Sequence, residues 1–166
     1  GAQEGFRSYE DAIAKHPATP IADETEGMDM LYSSGTTGRP KGVRTPFKER
    51  APGTPDAVHL LLDKMYGLKP ESSYLSPAPL YHAAPLRYNM SLLRIGATSS
   101  VMESFDPSEA LGLIEKYRAT HGQFVPTMFV RMLKLPEEGR HRHDVSSLEC
   151  AIHAAAPCPI PIKEQM

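Results

Sequence analysis

Cysteine is scarce. The chain carries two, Cys150 and Cys158, too few for a disulfide framework, and they read as reduced thiols of a cytoplasmic protein. Long apolar runs are missing. None approaches the roughly 18 residues that a membrane-spanning helix needs. The first residues, GAQEGFRSYEDAIAKH, lack the basic-then-apolar pattern of a secretory signal. Charge of one sign is not in excess: 18 Lys and Arg against 20 Asp and Glu leave a net charge of −2. Nothing electrostatic therefore points to nucleic acid or an anionic membrane as the main partner. Internal repeats and low-complexity tracts are absent too.

What is present is ordinary globular material. Of the 166 residues, 40% are apolar and 23% charged, enough for a buried core in about one domain. Proline is the exception. Sixteen of 166 residues is roughly twice the average usage. Proline breaks helix interiors and central strands, so a simple helical bundle is excluded and short elements with many loops are expected.

Periodicity supports that reading. Phe6, Tyr9 and Ile13 share one face of a helix expected over 6–16, which Pro17 and Pro20 end. An apolar strand at 28–32 runs into SSGTTGRPKGV, a stretch of turn residues, and 48–54 is an exposed polar loop. Val58, Leu61, Leu62 and Met65 predict a helix over 57–66 that stops at Gly67. Strands are predicted at 73–77, 97–102, 123–125 and 147–153. Helices are predicted at 84–95, closed by Gly96, and after Pro126. The clearest helix start is Asp106, with Pro107 next and Glu109 three residues on. Strands alternating with helices of about ten residues mean an α/β fold with parallel pairing.

The chemistry concentrates in Tyr32-Ser33-Ser34-Gly35-Thr36-Thr37-Gly38-Arg39-Pro40-Lys41-Gly42. Glycines let backbone N–H groups turn inward on an anion, Ser and Thr add donors, and Lys41 adds a mobile positive charge. Together they suit a polyphosphate. The P-loop pattern GxxxxGK[ST] does not fit, because the fifth residue after Gly35 is Pro40, and GxGxxG is also absent. A flexible Ser/Gly/Thr linker is the competing reading of such a stretch. The Pro-Lys-Gly ending and the strand-like lead-in weigh against it.

This segment resembles the phosphate-binding signature of the adenylate-forming (AMP-binding) superfamily, with every signature position filled. Two further stretches agree in order. Pro79-Leu80-Tyr81-His82-Ala83-Ala84-Pro85-Leu86 is similar to the next core motif. Ala151-Ile152-His153-Ala154-Ala155-Ala156-Pro157-Cys158-Pro159 is similar to the segment that packs along adenine and the acyl group. With QFVPTMFVRMLKLP between them, the whole looks most like a fatty acyl-CoA synthetase.

The resemblance implies ATP-dependent activation of a carboxylic acid, fatty acids first, as acyl-adenylate, followed by transfer to coenzyme A. Ser33, Ser34, Gly35, Thr36, Thr37, Gly38 and Lys41 would hold the β- and γ-phosphates of ATP. Thr36 would also touch Mg²⁺. His82 would lie near the carboxylate and α-phosphate, His153 beside the substrate, and Ala154, Ala155 and Ala156 would wall the nucleotide. The family usually has glycine where Ala154 stands. Its Thr-Glu motif, hinge and small C-terminal domain would follow Met166, and an N-terminal part would precede Gly1. The chain therefore reads as the middle of the large N-terminal domain, and the isolated piece is expected to be inactive. A nucleotide- or acyl-binding module and a non-catalytic remnant are the alternatives.

Blander readings stand beside these. His82 in its apolar run also suits a packed, hydrogen-bonded histidine. The His141, Arg142, His143, Asp144 run suits a solvated loop better than a metal site, since the spacing matches no common ligand set. Cys158 has no evident base and reads as packing rather than as a nucleophile. The eight methionines read as core filling.

Overall fold

The structure is a computed structural model that describes residues 3–33 and 38–166. The chain divides into two compact units, Gly1–Thr54 and Pro55–Met166.

The first unit has little regular structure. Helix α1 spans Tyr9–Ile13, shorter than its periodicity suggests. Ser8 caps it by accepting from the Asp11 amide. Its apolar face is not buried: Phe6 and Tyr9 are 75% and 71% exposed. Strands β1 (Leu31–Ser33) and β2 (Lys41–Val43) form an antiparallel hairpin. The sequence suggests β1 but not β2, whose Lys-Gly-Val is a poor strand former in isolation. Pairing creates it, with Tyr32 directly across from Gly42. A Cβ on Gly42 would stand 2.5 Å from Met30 Cε and 3.1 Å from Tyr32 Cε1. Glycine leaves room there for both side chains. A second tie joins Thr25 to Arg50: the Thr25 hydroxyl donates to the Arg50 carbonyl and accepts from its amide, at 3.1 and 3.3 Å.

The second unit holds the α/β core. Its elements run α2 (Ala57–Lys64), β3 (Ser73–Ser76), α3 (Ala83–Ile95), β4 (Thr98–Val101), α4 (Pro107–Tyr117), β5 (His121–Phe124), α5 (Pro126–Leu133), α6 (Glu137–His141), β6 (Cys150–His153) and α7 (Ile160–Gln165). The four strands make one sheet in the order β4-β3-β5-β6, every pairing parallel. Most elements lie within a residue or two of their sequence positions. β5 starts two residues early and β6 three residues late. The short α6 and α7 carry no buried residue and no stripe that would announce them.

The helices sort onto two faces by the hand of the crossovers. Chain travel from β3 to β4 and travel from β4 back to β5 run in opposite directions across the sheet. Right-handed crossovers then place α3 on one face and α4 on the other. The two cores match. Leu62, Leu68, Tyr74, Tyr88, Leu92, Ala97 and Ile152 fill the layer with α2 and α3. Leu75, Met102, Ala110, Ile114, Phe124, Met128, Phe129 and Met132 fill the layer with α4 and α5. Tyr74 and Leu75, neighbours in β3, serve opposite layers because strand side chains alternate.

Capping follows the sequence signals. Asp106 accepts from the Glu109 amide at 2.9 Å and Asp56 from the His59 amide at 2.8 Å. Gly96 ends α3 with φ 86°, a left-handed conformation that glycine adopts without penalty. Polar ties complete the sheet. Asn89 on α3 donates to Ser76 Oγ at 2.9 Å and to the Pro85 carbonyl at 2.7 Å, and it accepts from the Ser99 hydroxyl. One buried amide thus pins α3 to both β3 and β4. His121 is almost fully buried and bridges Thr120 Oγ1 and the Tyr66 carbonyl, each at 2.8 Å.

The charged run after α6 is held by α4. His143 Nδ1 lies 2.8 Å from Glu115 Oε2, the Asp144 amide donates to Glu115 Oε1 at 3.1 Å, and Arg118 pairs with Asp144 at 2.7 Å. Among the described residues no group of three or more His, Cys, Asp or Glu is placed to hold a metal ion. The hydroxyl and amide of Ser146, and then Arg118, bring the Asp144 carboxyl down from the usual 3.8 to about 2. Glu115 is lowered in turn, chiefly by His143. A depressed carboxyl tethers the loop at any pH above its ordinary value and releases it as pH falls through its folded value. The Asp144 carboxyl should therefore titrate by NMR near pH 2, with the Ser146 amide signal moving in step. A midpoint at or above 3.8 contradicts the tether.

Candidate functional site

The expected site residues fall in both units. In the first, the hairpin sets Ser33 directly across from Lys41. The residues between them form the connection that the sequence marks for phosphate. Of these, Ser34, Gly35, Thr36 and Thr37 lie outside the described residues, and the Mg²⁺ contact expected of Thr36 lies there with them. Gly38 and Lys41 are exposed. The ammonium of Lys41 thus emerges in water from the first residue of a strand.

In the second unit the rest gather at the carboxyl edge of the sheet. The strand order reverses between β3 and β5, which are neighbours although β4 lies between them in sequence. In open parallel sheets, ligands bind outside the carboxyl ends at such a reversal. α3 follows β3 and α5 follows β5, so both helices begin there. Neither has a side-chain cap: His82 precedes α3 and Val125 precedes α5, and no side chain of either accepts from the first turn. α4, which starts away from the reversal, is capped by Asp106. The helices flanking the reversal therefore present the positive end of their dipoles without a side-chain cap, a setting that favours an anion.

His82 is the N-cap residue of α3 and is exposed, not packed into the apolar run around it. Its ring lies 4.5 Å from that of Tyr81, tilted by 52°. His153 is the last residue of β6, exposed, and in register with Phe124. The ladder continues one step further, where the Ala154 amide donates to the Phe124 carbonyl at 3.1 Å. His82, His153 and the three alanines thus share one edge of one sheet. Ala154 stands where the family usually has glycine, but the unusual backbone lies at the next residue. Ala155, not Ala154, has a left-handed φ of 70°, a conformation costly for a residue with a Cβ. Ala155→Gly is expected to stabilise the fold by about 0.5–1 kcal/mol, read as a higher urea midpoint. A lower midpoint would show that the methyl is packed. Cys158 is buried in the α4–α5 core, and burial pushes the Cys150 thiol up, so neither suits a nucleophile.

Two features of this edge are not apparent from motif spacing. The missing caps on α3 and α5 become meaningful only once β3 and β5 are neighbours. Asn89, which anchors the helix behind His82, left one trace, a polar residue on the apolar face of a helix.

Residues 2–166 match the family described as AMP-binding enzyme. The chain belongs to the AMP-binding enzyme family. A probable CoA ligase, CCL5, from Humulus lupulus is 34% identical over 81% of this chain and 24% of its own length. A 2-succinylbenzoate–CoA ligase from Bacillus pumilus is 32% identical over 86% of this chain and 27% of its own. The inhibitor-bound N-terminal domain of FACL13 from Mycobacterium tuberculosis superposes with a TM-score of 0.69 at 26% identity, covering 94% of this chain and 38% of that one. The AMP-bound O-succinylbenzoate coenzyme A synthetase from Bacillus subtilis gives 0.62 at 25% identity, over 93% and 31%. The chain thus spans about a quarter of the length of these curated relatives.

Proposed function

We propose that this chain is the phosphate- and acyl-facing part of an ATP-dependent acid–thiol ligase. The enzyme joins a carboxylic acid, of fatty type, to coenzyme A through an acyl-adenylate. The observation that carries the reading is the match of residues 2–166 to the AMP-binding enzyme family. The CoA ligases among its relatives and the anion-favouring edge between β3 and β5 support it.

In this reading Ser33, Ser34, Gly35, Thr36, Thr37, Gly38 and Lys41 hold the β- and γ-phosphates. Thr36 would contact the Mg²⁺ that accompanies ATP, which when bound would supply neutralisation of phosphate charge. His82, at the head of α3, orients the carboxylate that attacks the α-phosphorus as pyrophosphate leaves. The positive dipole ends of α3 and α5 favour the negative charge of that exchange without having to reorganise. Ala154, Ala155 and Ala156 admit the flat adenine because they are small, and His153 lies at the acyl end of the same wall. We place the enzyme in the cytoplasm, in keeping with reduced cysteines. Among the described residues no helix is long and apolar enough to cross a membrane.

The test is pyrophosphate exchange by the full-length protein across a panel of carboxylic acids, followed by acyl-CoA formation. Acid-dependent exchange is expected, and none with any acid would overturn the ligase reading. The 166-residue chain alone, a quarter of a ligase's length, is expected to give no acyl-CoA in the same assay.

A further inference from the structure

Asn89 is buried on α3, and its side-chain bonds frame the loop that carries His82. Its Nδ2 group donates to Ser76 Oγ at 2.9 Å and to the Pro85 carbonyl at 2.7 Å. Ser76 is the last residue of β3, and Pro85 lies in the first turn of α3. One amide group therefore clamps both ends of the connection 77–82, which holds Tyr81 and His82. The Pro85 carbonyl can only accept, so the NH₂ end of the amide must face this connection. Ser76 is almost fully buried and is fixed from the other side as well, since its carbonyl accepts from the Met102 amide at 3.0 Å. The Asn89 oxygen accepts from the Ser99 hydroxyl on β4. A leucine would fill this place in an apolar layer without giving up hydration. The satisfied amide instead fixes one geometry of strand end against helix head.

The geometry points to Asn89 as a positioning residue for the adenylation step. It holds His82 and the positive end of α3 at a fixed place beyond the carboxyl end of β3, and it acts on the acid only through them. This rests on the ligase reading proposed above and on the role of His82 in it. His82 depends on such support. It is exposed, its ring meets that of Tyr81 at 4.5 Å, and no side-chain cap ties it to the helix it heads. A group that orients a reacting carboxylate loses rate steeply when misplaced, by about 100-fold for a shift near 1 Å. Removing the clamp leaves β3 and α3 packed by their apolar residues but frees the connection between them.

The experiment is a double-mutant cycle in the full-length protein, read by acid-dependent pyrophosphate exchange. Asn89→Ala is expected to lower kcat by about tenfold or more, with the KM for ATP changed by less than about twofold. In a His82→Ala background the same substitution is expected to cost less than about twofold, because residues that act through one another are not additive. An equal loss in both backgrounds means that Asn89 only supports the fold, and it overturns the inference. An Asn89→Ala enzyme that keeps its kcat, a loss carried by the ATP KM, or a His82→Ala enzyme that exchanges like the wild type also overturns it; each of these leaves the ligase reading intact. Where Asn89→Ala does not fold, Ser76→Ala removes a single oxygen of the clamp and is judged by the same cycle. Where His82→Ala is too slow to measure, the split between kcat and KM decides. No exchange by the wild type with any acid overturns both readings.

Discussion

Lys41→Ala in the full-length protein is expected to lower acid-dependent pyrophosphate exchange on the order of 100-fold, the usual scale for losing one preorganised stabiliser of developing charge. Lys41 is exposed and stands across from Ser33 in the last pair of the hairpin before its connection. It supports no core, so its loss should leave melting unchanged. The lost rate then belongs to the phosphates. A cation at the strand end meets the pyrophosphate as its charge grows, and its absence leaves one positive charge fewer beside a multiply charged leaving group. Lys41→Arg should recover part of the loss, since charge is kept while the compact ammonium is exchanged for a planar fork. Exchange unaffected in Lys41→Ala would remove this residue from the phosphate site.

The second large effect concerns the edge itself. Phe124→Ala is expected to destabilise the fold by about 3–5 kcal/mol, measured by urea unfolding. Phe124 is 2% exposed and meets the Phe129 ring at 5.3 Å. Its ring also covers Gly122, where a Cβ would come within 2.8 Å of it. Removing the ring opens a cavity between β5 and α5 that neighbouring strands cannot close. Against a total of about 5–15 kcal/mol, that is a large share. The same residue holds the Ala154 amide through its carbonyl, so loosening β5 also loosens the segment that follows β6. A loss below about 1 kcal/mol would mean the site collapses around the gap, and the core is softer than its packing implies.

Much of the second unit was readable before folding. Asp106 followed by Pro107 sets the start of α4 because a carboxylate and a ring-locked φ suit those two positions, whatever lies around them. Pro126 opens α5 and Gly96 closes α3 for similar local reasons. The first unit was less readable. Phe6, Tyr9 and Ile13 look like a buried stripe, yet they are exposed, because periodicity describes one face of an element and not whether anything covers it. β2 went unread because Lys41-Gly42-Val43 has no strand preference of its own and pairs only because Tyr32 lies across from Gly42.

The site divides in the same way. The residue types that suit phosphate, and the order of three motifs along the chain, are properties of the sequence alone. They depend on local chemistry: hydroxyls, glycines and one lysine within eleven positions. That His82 and His153 share an edge, that two helices begin uncapped at the same reversal, and that the Asn89 amide reaches both Ser76 and Ser99 could not be read that way. These facts depend on which strands become neighbours. Strand order is decided by burying two apolar layers through right-handed crossovers, a choice that no short stretch of the chain makes by itself.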